Sequence, residues 1–239
     1  MDTSPYDPIA DWYDEKVRRD WNDHAQTLPH LLELTEDIAG SDVCDIACGQ
    51  GTITRKLAEA GGRVVGVDTS QQMLGLAQAE EDGRPLGISY VQDDARRLRS
   101  LPDGSFDLVT CTWALMDIED LASCLQSVAR VLRVGGAFVF CITHPCFTGP
   151  GAGWKDNGYL VGSYLGEGFW VSENPDGVRS RVGAHHRTLS TYVNELVAAG
   201  LAIERLLEPS RVHAGTSLPH TGQVPGSLYM RCRKPLISP

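Results

Sequence analysis

One stretch decides the fold, and it reads Val43-Cys44-Asp45-Ile46-Ala47-Cys48-Gly49-Gln50-Gly51-Thr52. Its first half is apolar except for Asp45, which is typical of a short buried strand. Gly49 and Gly51 allow backbone angles and close approaches that a Cβ would block. Apolar residues then recur at helical spacing. The stretch therefore predicts a strand, a glycine turn and a helix N-terminus, which together present backbone N–H groups to a negatively charged ligand.

Acidic residues follow the next two predicted strands. Arg63 to Val67 is a second apolar segment, which Asp68 ends. A carboxylate at this tip can accept hydrogen bonds from both hydroxyls of a ribose. Ile88 to Val91 predicts a third strand, and Asp93 and Asp94 follow it. A carboxylate there can accept the amino proton of an adenine, so these positions predict a nucleoside cofactor.

The glycine pattern separates two classes of nucleoside site. A nicotinamide dinucleotide site requires G-x-G-x-x-G, and Thr54 occupies the third glycine position here. The pattern Asp45-x-Ala47-x-Gly49-x-Gly51 instead resembles the first motif of class I S-adenosylmethionine-dependent methyltransferases, of the small-molecule, type 11/25-like kind. The family usually has glycine where Ala47 stands, which is a modest departure. The segment from Leu101 to Thr110 carries the same resemblance.

The resemblance implies S-adenosylmethionine as the cofactor, S-adenosylhomocysteine as the product, and a set of cofactor-binding residues. Asp94 is implied as the acceptor for adenine, with Ala95 as the backbone donor. Met73 either packs on the adenine or belongs to the ordinary core. Tyr13 either covers the methionine end of the cofactor or lies in a helix that caps the sheet edge. The implied set is Tyr13, Asp45, Ala47, Gly49, Gly51, Asp68, Thr69, Met73, Asp94, Ala95 and Thr112.

Strand and helix patterns alternate along the chain, which predicts a doubly wound α/β sheet. Residues 137–142 are nearly all apolar, as expected of a fifth strand covered on both faces. Further strands are predicted over 203–208 and 227–233, and by resemblance the last one inserts antiparallel beside the fifth. We therefore expect a seven-stranded, mostly parallel, Rossmann-like methyltransferase fold with helices on both faces and an aromatic-rich lid insertion.

We expect a single domain over residues 1–239, in four parts. These are a helical cap (1–40), a cofactor-binding core (41–146), an insertion (147–184), and a C-terminal helix with strands (185–239). Helices are predicted at about 9–19 and 26–39, and Ser190 and Gly200 resemble the caps of the last helix. The insertion combines Gly and aromatic residues without helical period, which predicts irregular loops or an antiparallel hairpin.

The insertion is interpreted as a lid and substrate pocket, with a dimer interface as the alternative. Trp113 leaves the fourth strand at the edge where ligands bind, although a buried tryptophan that packs on a helix would fit equally. Aromatic side chains and the arginines 179, 181 and 187 favour an aromatic or anionic acceptor. The candidate substrate residues are Trp113, Trp154, Trp170 and Arg187.

Three residues are candidate catalytic groups: His144, His186 and Tyr164. An imidazole titrates near neutrality, so it can accept a proton from a hydroxyl, phenol or ammonium as methyl transfer proceeds. His144 follows the fifth strand at the functional edge, but it could equally be a histidine that only hydrogen-bonds its loop. Arg211, His213 and His220 lie in a loop that either completes the pocket or is solvated.

Composition excludes several classes of function. The chain has 239 residues and a net charge of −10, which argues against a nucleic-acid partner, since phosphates are bound by Lys and Arg. No apolar run predicts a membrane span or a signal peptide. The seven cysteines fall mostly in predicted strands, as in cytoplasmic proteins, and their spacing predicts no metal site.

The sequence therefore predicts a cytoplasmic enzyme, monomeric or homodimeric, that transfers a methyl group from S-adenosylmethionine to an O or N atom of a small organic molecule. Two alternatives stay open. The chain could use the bound cofactor for a reaction without methyl transfer, such as a cyclisation, or it could be a non-catalytic partner subunit.

Overall fold

The computed structural model describes residues 4–19, 21–155, 158–210 and 224–236. Arg211, His213 and His220 lie outside these ranges. The helices are α1 (Ala10–Arg19), α2 (Trp21–Thr35), α3 (Thr52–Glu59), α4 (Gln71–Gly83), α5 (Leu121–Val131), α6 (Arg179–Val182) and α7 (Leu189–Ala198). The strands are β1 (Asp42–Ile46), β2 (Arg63–Asp68), β3 (Ser89–Gln92), β4 (Phe106–Thr112), β5 (Leu132–Thr143), β6 (Gly153–Lys155), β7 (Gly158–Leu160), β8 (Gly168–Trp170), β9 (Ala184–His186), β10 (Ala202–Leu207) and β11 (Ser227–Arg233).

The central sheet has seven strands in the described part of the chain, in the order β10-β11-β5-β4-β1-β2-β3. Strands β1 to β5 pair in parallel. Strand β11 is antiparallel to both of its neighbours, β5 and β10. The predicted doubly wound, mostly parallel architecture is therefore confirmed, including the reversed strand beside the fifth.

Apolar side chains on the two faces of the sheet form two cores. On one face, Leu31 and Leu34 of α2 and Leu57 of α3 pack with Val43, Val139 and Tyr229. On the other face, Leu125 of α5 and Leu196 of α7 pack with Phe138 and Phe140. Residues of β5 thus alternate between the two cores, as the period of a strand covered on both faces requires.

Some predicted boundaries were wrong. Helix α2 ends at Thr35 rather than near residue 39, because Glu36 takes a left-handed backbone conformation with φ of 61°. Strand β5 begins at Leu132, although its first residues were predicted to end the preceding helix. Thr188, not Ser190, caps α7, since its side chain accepts a hydrogen bond from the backbone of Thr191. The connection between β3 and β4 contains turns instead of a crossover helix.

Strands of the insertion take part in two short antiparallel pairs. Strands β6 and β7 form a hairpin, and β8 pairs with β9 further along the chain. In this second pair Phe169 lies opposite His185, whereas Trp170 lies opposite Ala184. Of the two alternatives predicted for this region, irregular loops or an antiparallel hairpin, the structure has the hairpin. In the described ranges, no helix combines the length and the apolar character that crossing a bilayer requires.

The glycine turn after β1 places α3 against the sheet. Ala47, Gly49 and Gly51 all have positive φ, at 51°, 55° and 79°. A Cβ on Gly51 would overlap the hydroxyl of Tyr90 and lie 3.2 Å from Ala77 Cβ, whereas a Cβ on Gly49 would meet nothing within 4 Å. The first glycine is therefore needed for its backbone angle, and the second also for close packing against β3.

We expect Gly51→Ala to lower the free energy of unfolding more than Gly49→Ala, as measured by urea denaturation. Each variant places a Cβ in the left-handed region, at a cost of about 1–2 kcal/mol. Gly51→Ala adds a packing conflict with Tyr90, which typically costs a further ~1–3 kcal/mol. An equal decrease in the free energy of unfolding of the two variants would show that a Cβ at position 51 does not destabilise the protein through its contact with Tyr90.

Candidate cofactor and acceptor site

A cavity of about 450 Å³ lies at the carboxyl edge of β1, β2 and β4. This volume is in the range of pockets that bury small ligands. All the predicted cofactor residues except Gly51 line it. The N-terminal segment before α2 contributes Tyr6 and Tyr13, and the insertion contributes Phe169 and Val182. Two segments far apart in sequence therefore form walls of a site whose floor is the glycine turn.

Asp68 lies at the tip of β2 and organises the floor of the cavity. Its Oδ2 accepts a hydrogen bond from Gly49 N at 2.8 Å, and its Oδ1 accepts one from Ser70 N at 2.8 Å. Burial raises the pKa of this carboxyl, and the backbone donors oppose that effect. Because a carboxylate oxygen can accept more than one hydrogen bond, both oxygens can still bind ribose hydroxyls.

Asp45 is a buried carboxylate beneath the turn. Its two oxygens accept hydrogen bonds from Thr54 Oγ1 of α3 and Thr110 Oγ1 of β4, both at 2.7 Å. The side chain is 1% exposed, and burial raises its pKa to about 6 despite these donors. Asp45 therefore joins β1 to α3 and β4 while it presents negative charge to the cavity.

The cavity lining also contains the residues predicted for adenine. Asp94 and Ala95 line the cavity after β3, and Met73 of α4 packs beside them with 2% exposure. Asp94 also pairs with Arg96, whose Nε lies 2.9 Å from Oδ2. Burial alone would raise the pKa of Asp94, but the hydrogen bonds from Arg96 hold it below its usual value.

The N-terminal segment covers the cavity through two polar contacts. Ser70 Oγ donates to Asp7 Oδ1 at 2.6 Å, which fixes the segment to the start of α4. Tyr6 Oη donates to Asp117 Oδ2 at 2.7 Å, and Asp117 also pairs with Arg179 of α6. The Tyr13 ring packs edge-on against Tyr6, with centroids 5.4 Å apart. Asp117 thus connects the N-terminal segment to the insertion, and these two segments together cover the cavity.

The lining fits an adenosyl sulfonium cofactor. Thr112 Oγ1 is buried without a hydrogen-bond partner among the described residues, and Thr112 lines the cavity. Such an orphaned hydroxyl is what a polar ligand would satisfy. In the predicted roles, Asp68 would supply acceptors for the ribose, Asp94 an acceptor and Ala95 a backbone donor for adenine, and Asp45 a negative charge. Gly51 faces Tyr90 rather than the cavity, so it shapes the turn without lining it.

The predicted catalytic residues lie outside the cavity lining. His144 Nε2 is 2.7 Å from Glu208 Oε1, and its Nδ1 accepts from Cys146 N at 3.2 Å. His186 Nε2 lies 2.8 Å from the carbonyl oxygen of Tyr164, so it donates there. Tyr164 Oη in turn accepts from Leu189 N at 2.9 Å. The structure does not bring these three side chains to the predicted reaction site.

The predicted substrate residues divide in two groups. Trp113 lines the cavity, and its Nε1 donates to Thr27 Oγ1 at 3.2 Å. Trp154 packs against Tyr159 in the hairpin, and Trp170 packs against the core. Arg187 is buried and donates to carbonyl oxygens in the loop 115–119, so it positions that wall instead of contacting a ligand.

The sequence analysis missed several cavity residues, among them Tyr6, Asp117, Phe169 and His185. Phe169 and His185 face each other across the β8–β9 pair, one residue from the predicted Trp170 and His186. Since neighbouring residues of a strand point to opposite faces, only the pairing register could have identified them. In the described ranges, no group of three His, Cys, Asp or Glu side chains could hold a metal ion.

Comparison with known proteins relates this geometry to one family. Residues 44–140 match a family model described as a methyltransferase domain. The crystal structure of an S-adenosylmethionine dependent methyltransferase from Mesorhizobium loti is 33% identical, covers 86% of this chain and 96% of that chain, and gives a TM-score of 0.73.

Two curated relatives match over a shorter length. A demethylmenaquinone methyltransferase from Lactococcus lactis is 36% identical over 127 residues, which are 51% of this chain and 48% of the relative. A ubiquinone biosynthesis O-methyltransferase from Methylococcus capsulatus is 35% identical over 110 residues, 46% of each chain. The chain thus spans about half the length of these two relatives.

We expect Asp45→Asn to gain stability relative to the wild type as the pH rises. The folded protein holds the Asp45 proton up to about pH 6, above the unfolded pKa of 3.8, so the wild type loses this contribution as the pH rises through 6. The difference in the free energy of unfolding between the two proteins, obtained from their melting curves, should grow by on the order of 1 kcal/mol from pH 5 to pH 8.

Asp42→Asn on the same strand is the matched control. Hydrogen bonds from Arg63 and Arg133 lower the pKa of Asp42 to about 2, so it is ionised in both states above pH 5. Its difference from the wild type should therefore stay constant over this range. A constant difference for Asp45→Asn as well would contradict the raised pKa of Asp45.

Proposed function

We propose that this chain methylates an oxygen or nitrogen atom of a small organic acceptor. The chain belongs to the class I S-adenosylmethionine-dependent methyltransferases and uses S-adenosylmethionine as its cofactor. The bound cofactor supplies an electrophilic methyl group on a positively charged sulfur. The chain must then hold the acceptor atom in line with that methyl group, and such orientation can supply roughly 7–11 kcal/mol.

One observation carries this proposal: the same cavity is lined by the carboxylates Asp68 and Asp94 and by the rings of Trp113, Phe169 and His185. The first pair suits the polar edges of a nucleoside, and the aromatic side chains suit a flat organic molecule. Two ligands can therefore lie within the same enclosure, which direct transfer between them requires.

The charges around the cavity favour an acceptor that is not anionic. Arg179 pairs with Asp117, and Arg181 lies over the ring of Trp12 at 4.0 Å. Arg187 is engaged by backbone carbonyls, while Glu119 adds a carboxylate to the lining. The arginines that favoured an anionic acceptor are therefore occupied within the protein. An uncharged or cationic aromatic molecule with a hydroxyl or amino group fits this lining better than an anion.

The direct test is to incubate the purified chain with methyl-labelled S-adenosylmethionine and a panel of phenols, catechols, aromatic amines and aromatic carboxylates. We expect labelled product from a phenol, catechol or amine, with an equal amount of S-adenosylhomocysteine, and little from carboxylates. Consumption of an acceptor while the cofactor keeps its methyl group would favour a cyclisation or another non-methylating reaction. Turnover only after a second protein is added would favour the role of partner subunit.

Asp68→Ala should weaken the binding of S-adenosylhomocysteine about 10- to 100-fold, as measured by titration calorimetry. The substitution removes charge-assisted hydrogen bonds to the ligand, each worth roughly 1.5–3 kcal/mol. It also removes the acceptor for Gly49 N and so loosens the turn.

Asp107→Ala is the matched control for this titration. Asp107 also accepts a hydrogen bond from a backbone N–H, that of Asp42 at 2.9 Å, but it lies at the start of β4, on the opposite edge of the sheet. Its loss should leave the affinity unchanged. Equal affinities in the wild type and Asp68→Ala would remove Asp68 from the cofactor site.

A further inference from the structure

We propose that His185 is the general base of the reaction and takes the proton from a hydroxyl group of the acceptor. This inference rests on the proposed function and assigns a catalytic residue to it. His185 lies in β9 and lines the cavity, opposite Phe169 of β8. Its backbone N donates to Met116 O at 2.7 Å, which fixes β9 beside the loop that carries Asp117 and Glu119.

The hydrogen bonds of the histidines distinguish His185 from the two that were predicted. Both ring nitrogens of His144 are engaged, by Glu208 and by Cys146 N. His186 donates its Nε2–H to a carbonyl oxygen. Among the described residues, the ring of His185 has no hydrogen-bond partner and contacts Phe169 edge-on at 5.3 Å. Its nitrogens are therefore available to a ligand in the cavity.

The charges around His185 keep it in the form that a base requires. Burial is the main cause that lowers its pKa below the usual 6.5, and the positive charge of Arg187 acts in the same direction. Glu119 opposes them, and Phe169 on the facing strand carries no charge. The imidazole is therefore neutral at pH 7, with a lone pair that can accept a proton.

The step balances without any further reactant. The acceptor oxygen forms a bond to the methyl carbon while its proton passes to the free imidazole nitrogen of His185. The electron pair of the carbon–sulfur bond leaves with the sulfur, whose positive charge is neutralised. The imidazolium then loses its proton to water. General-base assistance of this kind typically accelerates a reaction about 10²- to 10⁴-fold.

The test compares wild type with His185→Gln, using the most reactive phenol of the panel and its polyfluorinated analogue, whose hydroxyl is already ionised at neutral pH. We expect kcat for the phenol to fall at least ~100-fold, with unchanged affinity for S-adenosylhomocysteine. With the ionised analogue the two proteins should react at similar rates. The wild-type rate should fall as the pH drops below 6.5 and level off above it, whereas the rate of the variant should show no bend there and keep rising with pH, because its phenol must ionise before it reacts.

His186→Gln is the matched control, because it removes the neighbouring imidazole from the opposite face of β9. Once corrected for the fraction of folded protein, its phenol-to-analogue rate ratio should equal that of wild type. If His185→Gln lowered kcat equally for the phenol and for its ionised analogue, the role of His185 would be purely structural and the proposal would be overturned. An unchanged kcat for the phenol would overturn it as well.

A readout independent of turnover is the titration of the histidine ring protons by NMR in the cofactor-free protein. The signal that is missing in His185→Gln should titrate below pH 6.5 and shift when the phenol is added. A signal insensitive to the phenol would overturn the proposal even if the variant folds poorly. Failure of the wild type to methylate any acceptor would instead overturn the proposed function.

Discussion

The structure depends on one half-buried carboxylate that holds two turns together. Asp68 accepts hydrogen bonds from Gly49 N after β1 and from Ser70 N before α4. The first of these turns includes Ala47 with φ of 51°, a conformation that disfavours a Cβ and that costs an alanine about 1–2 kcal/mol. The contacts of Asp68 and the close packing of Gly51 on Tyr90 offset that strain. The floor of the cavity is the result, and the remaining walls are built around it.

A second carboxylate joins the two segments that cover the cavity, the N-terminal segment and the insertion. Asp117 binds Tyr6 of the N-terminal segment and Arg179 of the insertion, so a single side chain joins segments 111 and 62 residues away from it. The loop that carries Asp117 is itself positioned by Arg187, which donates to three of its carbonyl oxygens. Residues that sequence analysis would assign to ligand binding by their charge thus serve to assemble the walls. Aromatic side chains and the imidazole of His185 consequently line the cavity where these arginines were expected to bind the acceptor.

The two halves of the site differ in how far the sequence predicts them. The cofactor half follows from local patterns, since Asp45, the glycines and Asp68 lie at the ends of consecutive strands that must be parallel neighbours. The acceptor half depends on pairing register in an insertion of short strands. There the prediction selected Trp170 and His186, each one residue from the side chain that lines the cavity. Because side chains along a strand alternate between its two faces, an error of one residue selects a side chain on the wrong face. Composition alone contains no information about the register that would correct it.

The carboxylates that line the cavity favour a positively charged ligand. Burial raises the pKa of Asp45, Asp68 and Asp117, all of which line the same enclosure. Charged groups that are removed from water in this way are costly in the free protein, and a ligand with a positive charge offsets that cost. The sulfonium of the cofactor carries such a charge, and it loses that charge when the methyl group leaves. The carboxylates therefore favour the cofactor before transfer over its product, while the neutral His185 removes the proton that transfer liberates.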